Sequence, residues 1–551
     1  MKKYLFLIAT CVIALVACNK EQESGALNAT ITIQPNPCDA GEKIKFSANV
    51  TGGKSPYTYK WTAEVNRKQT DLDKNEPSFE WTFGVNGTYK VTLVVTDAAG
   101  SKVEKKKNLV VNPSKIDEKG ELTLVWNGYM EGYSTISSAA VDDNGNVYAI
   151  TQALKLYKFS PSGETLWCKP IISRPSTDSH TFVTPTVDSD GTVYVGGGTV
   201  GPDGVYVAFN PDGTEKWRFK DFYNTEAPSP AIQATMAAIG DENVYVGNVG
   251  TFGTITSINK ATGKRVNFCR RGTSNPTGGA RTGVVLSKAG TLHWYGGMYG
   301  IYGAPTSPFD VQGDGVDYKW RIFGDGNSPE FAKVTPMGGL ALVTINGKSN
   351  VCGMASDMLG TKVYAIDCAE GTLTSVCYID DTEDQDQGGV VVTKDGYLVA
   401  SLNYTLGHDN GGLVMVNPAD GTIVSRYSVQ EKVAGSAAID AAGNIHFGTE
   451  AGFYYIVKPT GDGFELLVKR NIADIIKKDS RYASTYAEMY TAKAWSSVVI
   501  GDDGKMYICF TDNDTRLFGG VACLTYEGCT GPAASEWPMV GRDRRHTCKQ
   551  K

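Results

Sequence analysis

The sequence predicts an all-β protein, a small two-sheet sandwich followed by a ring of eight short four-stranded sheets, with seven as the alternative count. Three observations predict it. Short runs alternate apolar and polar residues and are broken by Gly, Pro and Asp turns, the pattern of half-buried strands. A four-strand unit recurs from about residue 137 to the end. The composition is rich in Gly (63) and Tyr (28), which suits turns and strands better than helices. Hydrophobic residues make up 41% of the 551 and charged residues 20%, so the chain can build cores and is not a disordered one. A net charge of -6 argues against nucleic acid as a partner, and 12 Cys are too few for a disulfide scaffold.

The N-terminus opens with Met1-Lys2-Lys3, an apolar run from Tyr4 to Val16, and Leu15-Val-Ala-Cys18. A basic start and a run too short to span a bilayer read as a secretory signal over residues 1–17. Leu-Val-Ala-Cys resembles the lipobox of bacterial lipoproteins, a likeness that implies lipid attachment at Cys18. Residues 18–27 are a polar tether whose Asn-Lys-Glu-Gln-Glu-Ser-Gly resembles the export tag of Bacteroidetes surface lipoproteins. The expected location is the outer membrane, lipid-anchored and facing the cell surface, with the membrane as a partner through the lipid alone.

Residues 28–113 alternate through Lys43-Ile-Lys-Phe-Ser, Tyr57-Thr-Tyr-Lys-Trp61 and Tyr89-Lys-Val-Thr-Leu-Val-Val-Thr-Asp97, an antiparallel sandwich. Tyr59-Lys-Trp61 followed by Gly87-Thr-Tyr89-Lys-Val91-Thr-Leu93 resembles the PKD domain, an immunoglobulin-like module that acts mostly as a spacer. Gly84-Val-Asn86 stands where that family has Gly-Asp-Gly. Trp61 reads as core, and residues 114–119 as a linker.

Residues 120–551 carry the repeat. Ser137-Ser-Ala-Ala-Val-Asp-Asp-Asn-Gly-Asn-Val-Tyr, then Leu156-Tyr-Lys-Phe-Ser-Pro-Ser-Gly163-Glu-Thr-Leu-Trp167, is one unit of four strands a to d. Its a–b turn, Asp143-Asn-Gly145, has counterparts at Asp190-Gly191, Asp241-Glu-Asn243, Lys288-Ala-Gly290, Pro336-Met-Gly-Gly339, Lys394-Asp-Gly396, Ala441-Ala-Gly443 and Asp502-Asp-Gly504. Eight such turns, with the fifth the loosest, describe an eight-bladed propeller. The last unit lacks a good d strand, and Gly120-Glu-Leu-Thr-Leu-Val-Trp126 supplies one from the start of the domain. The Gly-x-x-x-Trp signature resembles the quinoprotein (PQQ-like) propeller repeat, as does the tail Glu536-Trp-Pro-Met-Val-Gly-Arg-Asp-Arg-Arg-His-Thr547, whose usual closing Gly is Cys548 here. The periodic Trp126, Trp167, Trp217 and Trp320 read as packing residues.

The a–b and c–d turns are short and uniform, and the length variation falls in the b–c and d–a connections, which share one face. Binding residues concentrate on such loops. Two aromatic excursions lie there: Trp294, Tyr295, Tyr299 and Tyr302, and the stretch with Tyr482, Tyr486, Tyr490 and Trp495. The i, i+4, i+8 spacing of the three Tyr predicts one face of a short helix. Aromatic faces with polar tips suit sugars; packing on the propeller is the competing reading for both groups. Asp380-Asp-Thr-Glu-Asp-Gln-Asp386 offers hard oxygens for a structural Ca²⁺ but no ligand spacing, so a solvated loop is favoured. Arg270, Arg271 and Arg281 could meet an acidic sugar, with a solvated or locally paired role favoured. Cys368 with Cys377, and Cys523 with Cys529, are candidate disulfides whose pairing spacing alone cannot fix.

The PQQ-like resemblance invites quinone chemistry, but those dehydrogenases carry a vicinal Cys pair that is absent here, so no cofactor is expected. A polysaccharide lyase would use a loop His, and His180 and His408 qualify, whereas His293 and His446 sit in b strands. A scaffold in outer-membrane protein assembly is a third reading, with transport proteins of that membrane as partners. The favoured one is a non-catalytic surface lipoprotein that binds a glycan as an accessory to polysaccharide uptake.

Overall fold

The computed structural model describes residues 25–551 apart from 40–41, 66–67, 84–86, 113–119, 133–136, 173–183, 198–203, 221–235, 248–252, 271–282, 296–299, 314, 323–338, 358–359, 381–387, 403–410, 430, 462, 483, 487–488, 490–491 and 513–517. The chain divides into two compact units, Met1–Lys115 and Ile116–Lys551.

In the first unit, Asn28–Gln34, Lys43–Thr51 and Ser78–Thr82 form one sheet. Cys38–Asp39, Lys102–Asn112, Gly87–Thr96, Thr58–Val65 and Lys68–Asp71 form the other. Alternation decides the faces: Ile44 and Phe46 are buried while Lys43 and Lys45 between them are exposed. Trp61 is fully buried, its ring edge-on to Phe46 and Phe79, and its Nε1 donates to the Glu76 carbonyl at 3.0 Å. It is core, as the sequence suggests.

Among the described residues the second unit contains eight antiparallel sheets, each ordered from an inner to an outer strand. The first runs Ala140–Val141, Val147–Ile150, Lys155–Phe159, Thr165–Pro170. Inner strands of the second to seventh are Thr186–Val187, Ala238–Ile239, Val285–Leu286, Ala341–Ile345, Val390–Val392 and Ala438–Ile439, and Val499–Ile500 opens the eighth. Burial falls outward: all four residues of Val147–Ile150 are buried, none of Thr165–Pro170 is. Sheets stacked face to face bury both sides of their inner strands, so these read as continuous apolar runs. The eighth sheet is completed by Leu122–Glu131, which pairs with Phe518–Tyr526. This borrowed strand joins the two ends of the unit and covers an edge that would otherwise be open.

Tryptophans tie neighbouring sheets together. The indole Nε1 of Trp126 donates to Pro161 O (2.9 Å), Trp167 to Pro211 O (3.2 Å), Trp217 to Lys260 O (2.8 Å) and Trp320 to Cys368 O (3.0 Å). Each receiving turn presents a glycine to that ring: Gly163, Gly213, Gly263 and Gly371 have φ of 83°, 82°, 67° and 69°, and a Cβ there would lie 2.4–3.0 Å from the indole. Gly meets both demands, left-handed backbone and close approach.

Two turns depart from the sequence reading. In the fifth sheet the a–b hairpin turns at Asn346-Gly347 (φ 50° and 79°), not at Pro336–Gly339, of which only Gly339 is among the described residues. The c–d connection of the fourth sheet is long rather than short. It carries a helical turn, Thr306–Phe309, and a strand, Val316–Asp317, that pairs parallel with the outer strand of the third sheet.

The C-terminal segment crosses the inner strands at their a–b turn end. Backbone N–H groups of Val141, Val187, Ile239 and Leu286 donate to the carbonyls of Arg544, Arg545, Thr547 and Cys548 at 2.7–3.0 Å. Those of Val392 and Ile439 donate to Trp537 and Pro538 at 2.7 and 2.8 Å. Thr344 Oγ1 of the fifth sheet donates to Glu536 at 2.6 Å. Arg544 pairs with Asp143 (2.7 Å) and Asp502 (2.8 Å), in the turns of the first and eighth sheets, and so straddles the seam between them. The strands therefore converge under this segment at one end, and the variable connections leave from the other.

Candidate functional site

At the loop end, three segments distant in sequence bring aromatic rings together. Tyr129 comes from the borrowed strand, Phe518 from the start of strand c of the eighth sheet, and Tyr482 from the connection between the seventh and eighth. Tyr129 stacks on Tyr482 (5.9 Å, 23°) and lies 6.0 Å from Phe518. All three are half-buried, with the fully buried Tyr486 beneath them at 5.4 Å from Phe518 and 5.8 Å from Tyr482.

Hydrogen bonds fix the support. Asn471 caps the helix Ile472–Ile476 by accepting from Ala473 N at 2.9 Å, and the helix buries Ile472, Ala473, Ile475 and Ile476. Asp479 then accepts from Asn127 Nδ2 (2.9 Å) and from Arg481 Nη2 (2.7 Å), while Tyr486 Oη donates to Asn127 Oδ1 (2.9 Å). The Arg481 guanidinium holds the Asp479 carboxyl below the usual carboxylate range and lies over the Tyr482 ring at 5.5 Å. Burial pushes the Tyr129 phenol up, and Glu131 beside it adds to the shift. The result is a fixed, uncharged aromatic surface edged by an ion pair, suited to stacking and hydrogen bonding.

The residues singled out in the sequence separate into three groups. Trp294, Tyr302 and Tyr486 are at most 1% exposed, and Trp294 stacks on Tyr302 at 5.5 Å and 6°. A ring enclosed by core offers no face to a ligand, so these three pack rather than bind. Tyr482 and Trp495 are half-buried, with Lys493 Nζ 4.0 Å from the Trp495 ring. Tyr299 and Tyr490 lie outside the described residues, as does the Tyr295 side chain. Between Tyr482 and Tyr486 the described residues form turns rather than the expected helix, and Tyr490 lies outside them. The helix lies upstream, and Tyr482 to Tyr486 make a single turn, with Tyr486 N donating to Tyr482 O at 3.0 Å. Tyr129 and Phe518 escaped the sequence reading, because only strand pairing brings them to Tyr482.

Cys18, His180, His408, Arg271, Arg281 and 381–386 lie outside the described residues. His293 and His446 are fully buried, in keeping with core positions in b strands. Cys368, Cys377, Cys523 and Cys529 are unbridged thiols, so neither candidate disulfide forms. Burial raises the thiols of Cys523 and Cys529 to about 12, so both are protonated at neutral pH.

Comparison with known proteins agrees with this architecture. Residues 28–110 match the PKD domain family. No curated protein matches the chain. A quinohemoprotein alcohol dehydrogenase from Pseudomonas putida HK5 superimposes with a TM-score of 0.53 at 14% identity, over 76% of this chain and 78% of that one. A europium-containing methanol dehydrogenase gives 0.52 at 12%, over 75% and 95%. BamB from Moraxella catarrhalis gives 0.45 at 14%, over 73% and 100%. At these identities the first two likenesses are likenesses of fold. The chain thus carries a PKD domain at residues 28–110, followed by a β-propeller-like unit.

Proposed function

We propose that the eight sheets are the blades of one propeller, and that the protein binds a glycan on its loop end without catalysis. The observation that carries this reading is the Tyr129–Tyr482–Phe518 surface, built by three segments at the end opposite the C-terminal segment. Half-buried rings held in place by a polar network cost little conformational entropy when a sugar stacks on them. A lipid on Cys18 and a PKD spacer would hold this surface away from an outer membrane, as an accessory to polysaccharide uptake.

The test is affinity electrophoresis of the chain from residue 25 onward through gels holding individual polysaccharides. Retardation by at least one glycan is expected, with no new reducing ends or unsaturated uronides. Tyr482→Ala and Tyr129→Ala should each weaken it roughly tenfold, since one stacked ring contributes about 1–1.5 kcal/mol. Unsaturated product would turn the reading to a lyase. Retardation by none, with binding to unfolded outer-membrane protein instead, would turn it to assembly.

A further inference from the structure

At the turn end of the first, second and seventh sheets, the inner strand is followed by an Asp that braces the strand opposite. In the first sheet Asp142 Oδ2 accepts from Tyr148 Oη at 3.1 Å, and in the second Asp188 Oδ2 accepts from Tyr194 Oη at 3.4 Å. The second sheet adds a counter-charge, Lys260 Nζ, 3.0 Å from Asp188 Oδ2. The seventh sheet changes both features. Asp440 keeps the acid, but His446 stands at the Tyr position, six residues on and paired with Ala438 as Tyr148 is with Ala140. No Lys or Arg bridges Asp440 among the described residues; the ring facing it is that of His446. Cys529, from the end of the eighth sheet, completes the group. A carboxylate oxygen of Asp440, a ring nitrogen of His446 and Cys529 Sγ lie within 4.8 Å of one another, and all three residues are buried.

The hydrogen bonds leave these donor atoms directed inward. Asp440 Oδ1 is taken by the N–H groups of Ala442 (2.9 Å) and Asn444 (2.8 Å), while Oδ2 faces His446 Nε2 at 3.0 Å. His446 Nδ1 is 3.2 Å from Tyr454 Oη, so the tautomer with its proton on Nδ1 donates outward to the phenol. The other tautomer donates from Nε2 to Asp440 Oδ2 at 3.0 Å, and a metal ion taking Nε2 would shift that proton to Nδ1.

We propose that Asp440, His446 and Cys529 bind one divalent transition-metal ion, with Zn²⁺ the best fit to a carboxylate, imidazole and thiolate set. On binding, the Cys529 thiol releases its proton to solvent. Carboxylate and thiolate then balance the ion's two charges, leaving a neutral buried centre. Zn–ligand lengths place donors about 3.3–3.8 Å apart, within reach of a small adjustment of this group. Tyr454 and Asn444, which donates to Asp440 Oδ2 at 2.9 Å, orient the ligands from outside. The role is structural. Cys529 lies just before the point where the C-terminal segment joins the seventh sheet, through Ala441 N to Gly531 O and Ala533 N to Ile439 O, both 2.8 Å. The ion would fasten the root of that segment.

The test is metal content of the full chain, purified without chelator or metal affinity resin and then equilibrated with Zn²⁺ and desalted. One equivalent per chain is expected, with a sulfur-to-metal charge-transfer band when Co²⁺ replaces Zn²⁺. His446→Tyr rebuilds the acid–phenol pair of the first sheet and serves as a folded control; it should hold at least tenfold less metal. Cys529→Ser should lose the charge-transfer band. EDTA should lower the Tm of the wild type and leave His446→Tyr unchanged. Zinc-free wild type after equilibration, or equal metal in wild type and both variants, would overturn the proposal.

Discussion

The two ends of the propeller-like unit solve opposite problems. At the turn end most sheets repeat one geometry, and the C-terminal segment gathers the inner strands chiefly through backbone hydrogen bonds, with Glu536 and Arg544 adding side-chain contacts. At the loop end connections differ, and the Tyr129–Tyr482–Phe518 surface occurs once. Repetition makes the turn end a property of the fold; departure from repetition makes the loop end a property of this protein. Substitutions at the first should cost stability, and at the second should cost binding.

The largest effect expected is at the tryptophan staples. Trp217 is 8% exposed and holds Lys260 O at 2.8 Å across two sheets. Trp217→Ala should lose about 3–5 kcal/mol, since a large buried ring leaves a cavity and an unpaired carbonyl. Urea denaturation followed by tryptophan fluorescence measures it, and a loss below about 1 kcal/mol would deny the staple its role. Gly263→Ala tests the other half of that contact. Its φ is 67° and a Cβ would sit 2.5 Å from the Trp217 ring, so a loss of about 1–3 kcal/mol is expected.

These staples also show what the sequence makes legible. Gly163-Glu-Thr-Leu-Trp167 repeats because each Trp needs a glycine in the next sheet, so spacing alone reveals the repeated sheets and even the strand borrowed at Leu122–Glu131. The fifth sheet is harder. Its Asn346-Gly347 turn is a strong hairpin signal between alternating strands, but the nearby Pro336-Met-Gly-Gly339 offered a competing one. The path of the C-terminal segment is not legible, because most of its partners are backbone groups. The aromatic surface is half legible. Tyr482 stands in a Tyr-rich stretch, whereas Tyr129 and Phe518 join it only through the pairing of the borrowed strand. The helical stripe misled because the helix Ile472–Ile476 ends before Tyr482, so Tyr482 and Tyr486 lie beyond it.

Acid should weaken the turn end next. His546, in the C-terminal segment, is fully buried with Nδ1 3.0 Å from Pro185 O, and desolvation lowers its pKa to about 4. His293 is lowered to about 3 by the same cause. The unfolded value is about 6.5. Both imidazoles are neutral when folded, so the unfolded chain takes up protons first as pH falls. Their contribution is fully present above pH 6.5 and is lost as pH drops towards 4 and then 3. Tm measured from pH 7 to 4 should fall, and His546→Gln should flatten part of that slope. Identical slopes in variant and wild type would remove His546 from the account. A smaller effect is expected at the loop end, where Tyr482→Ala should cost about 1 kcal/mol or less of stability, its ring being half exposed. A loss as large as that of Trp217→Ala would mean the aromatic surface is a staple too.

The smallest shift is expected at Cys548, and two opposing terms set it. The side chain is wholly buried, so removing it gives up packing worth roughly 1–2 kcal/mol. Its φ is 51°, the left-handed region, where a residue with a Cβ is strained by about 1–2 kcal/mol and glycine is not. Its N–H donates to Gly541 O at 3.0 Å and its carbonyl accepts from Leu286 N, so the backbone has no freedom to leave that region. Cys548→Gly should therefore change stability by less than about 1 kcal/mol in either direction. Cys548→Ala loses most of the packing and keeps the strain, so it should be the less stable of the two. Thermal melts of the pair isolate the backbone term, since both lack the thiol. If alanine equals or exceeds glycine, the left-handed turn is no constraint.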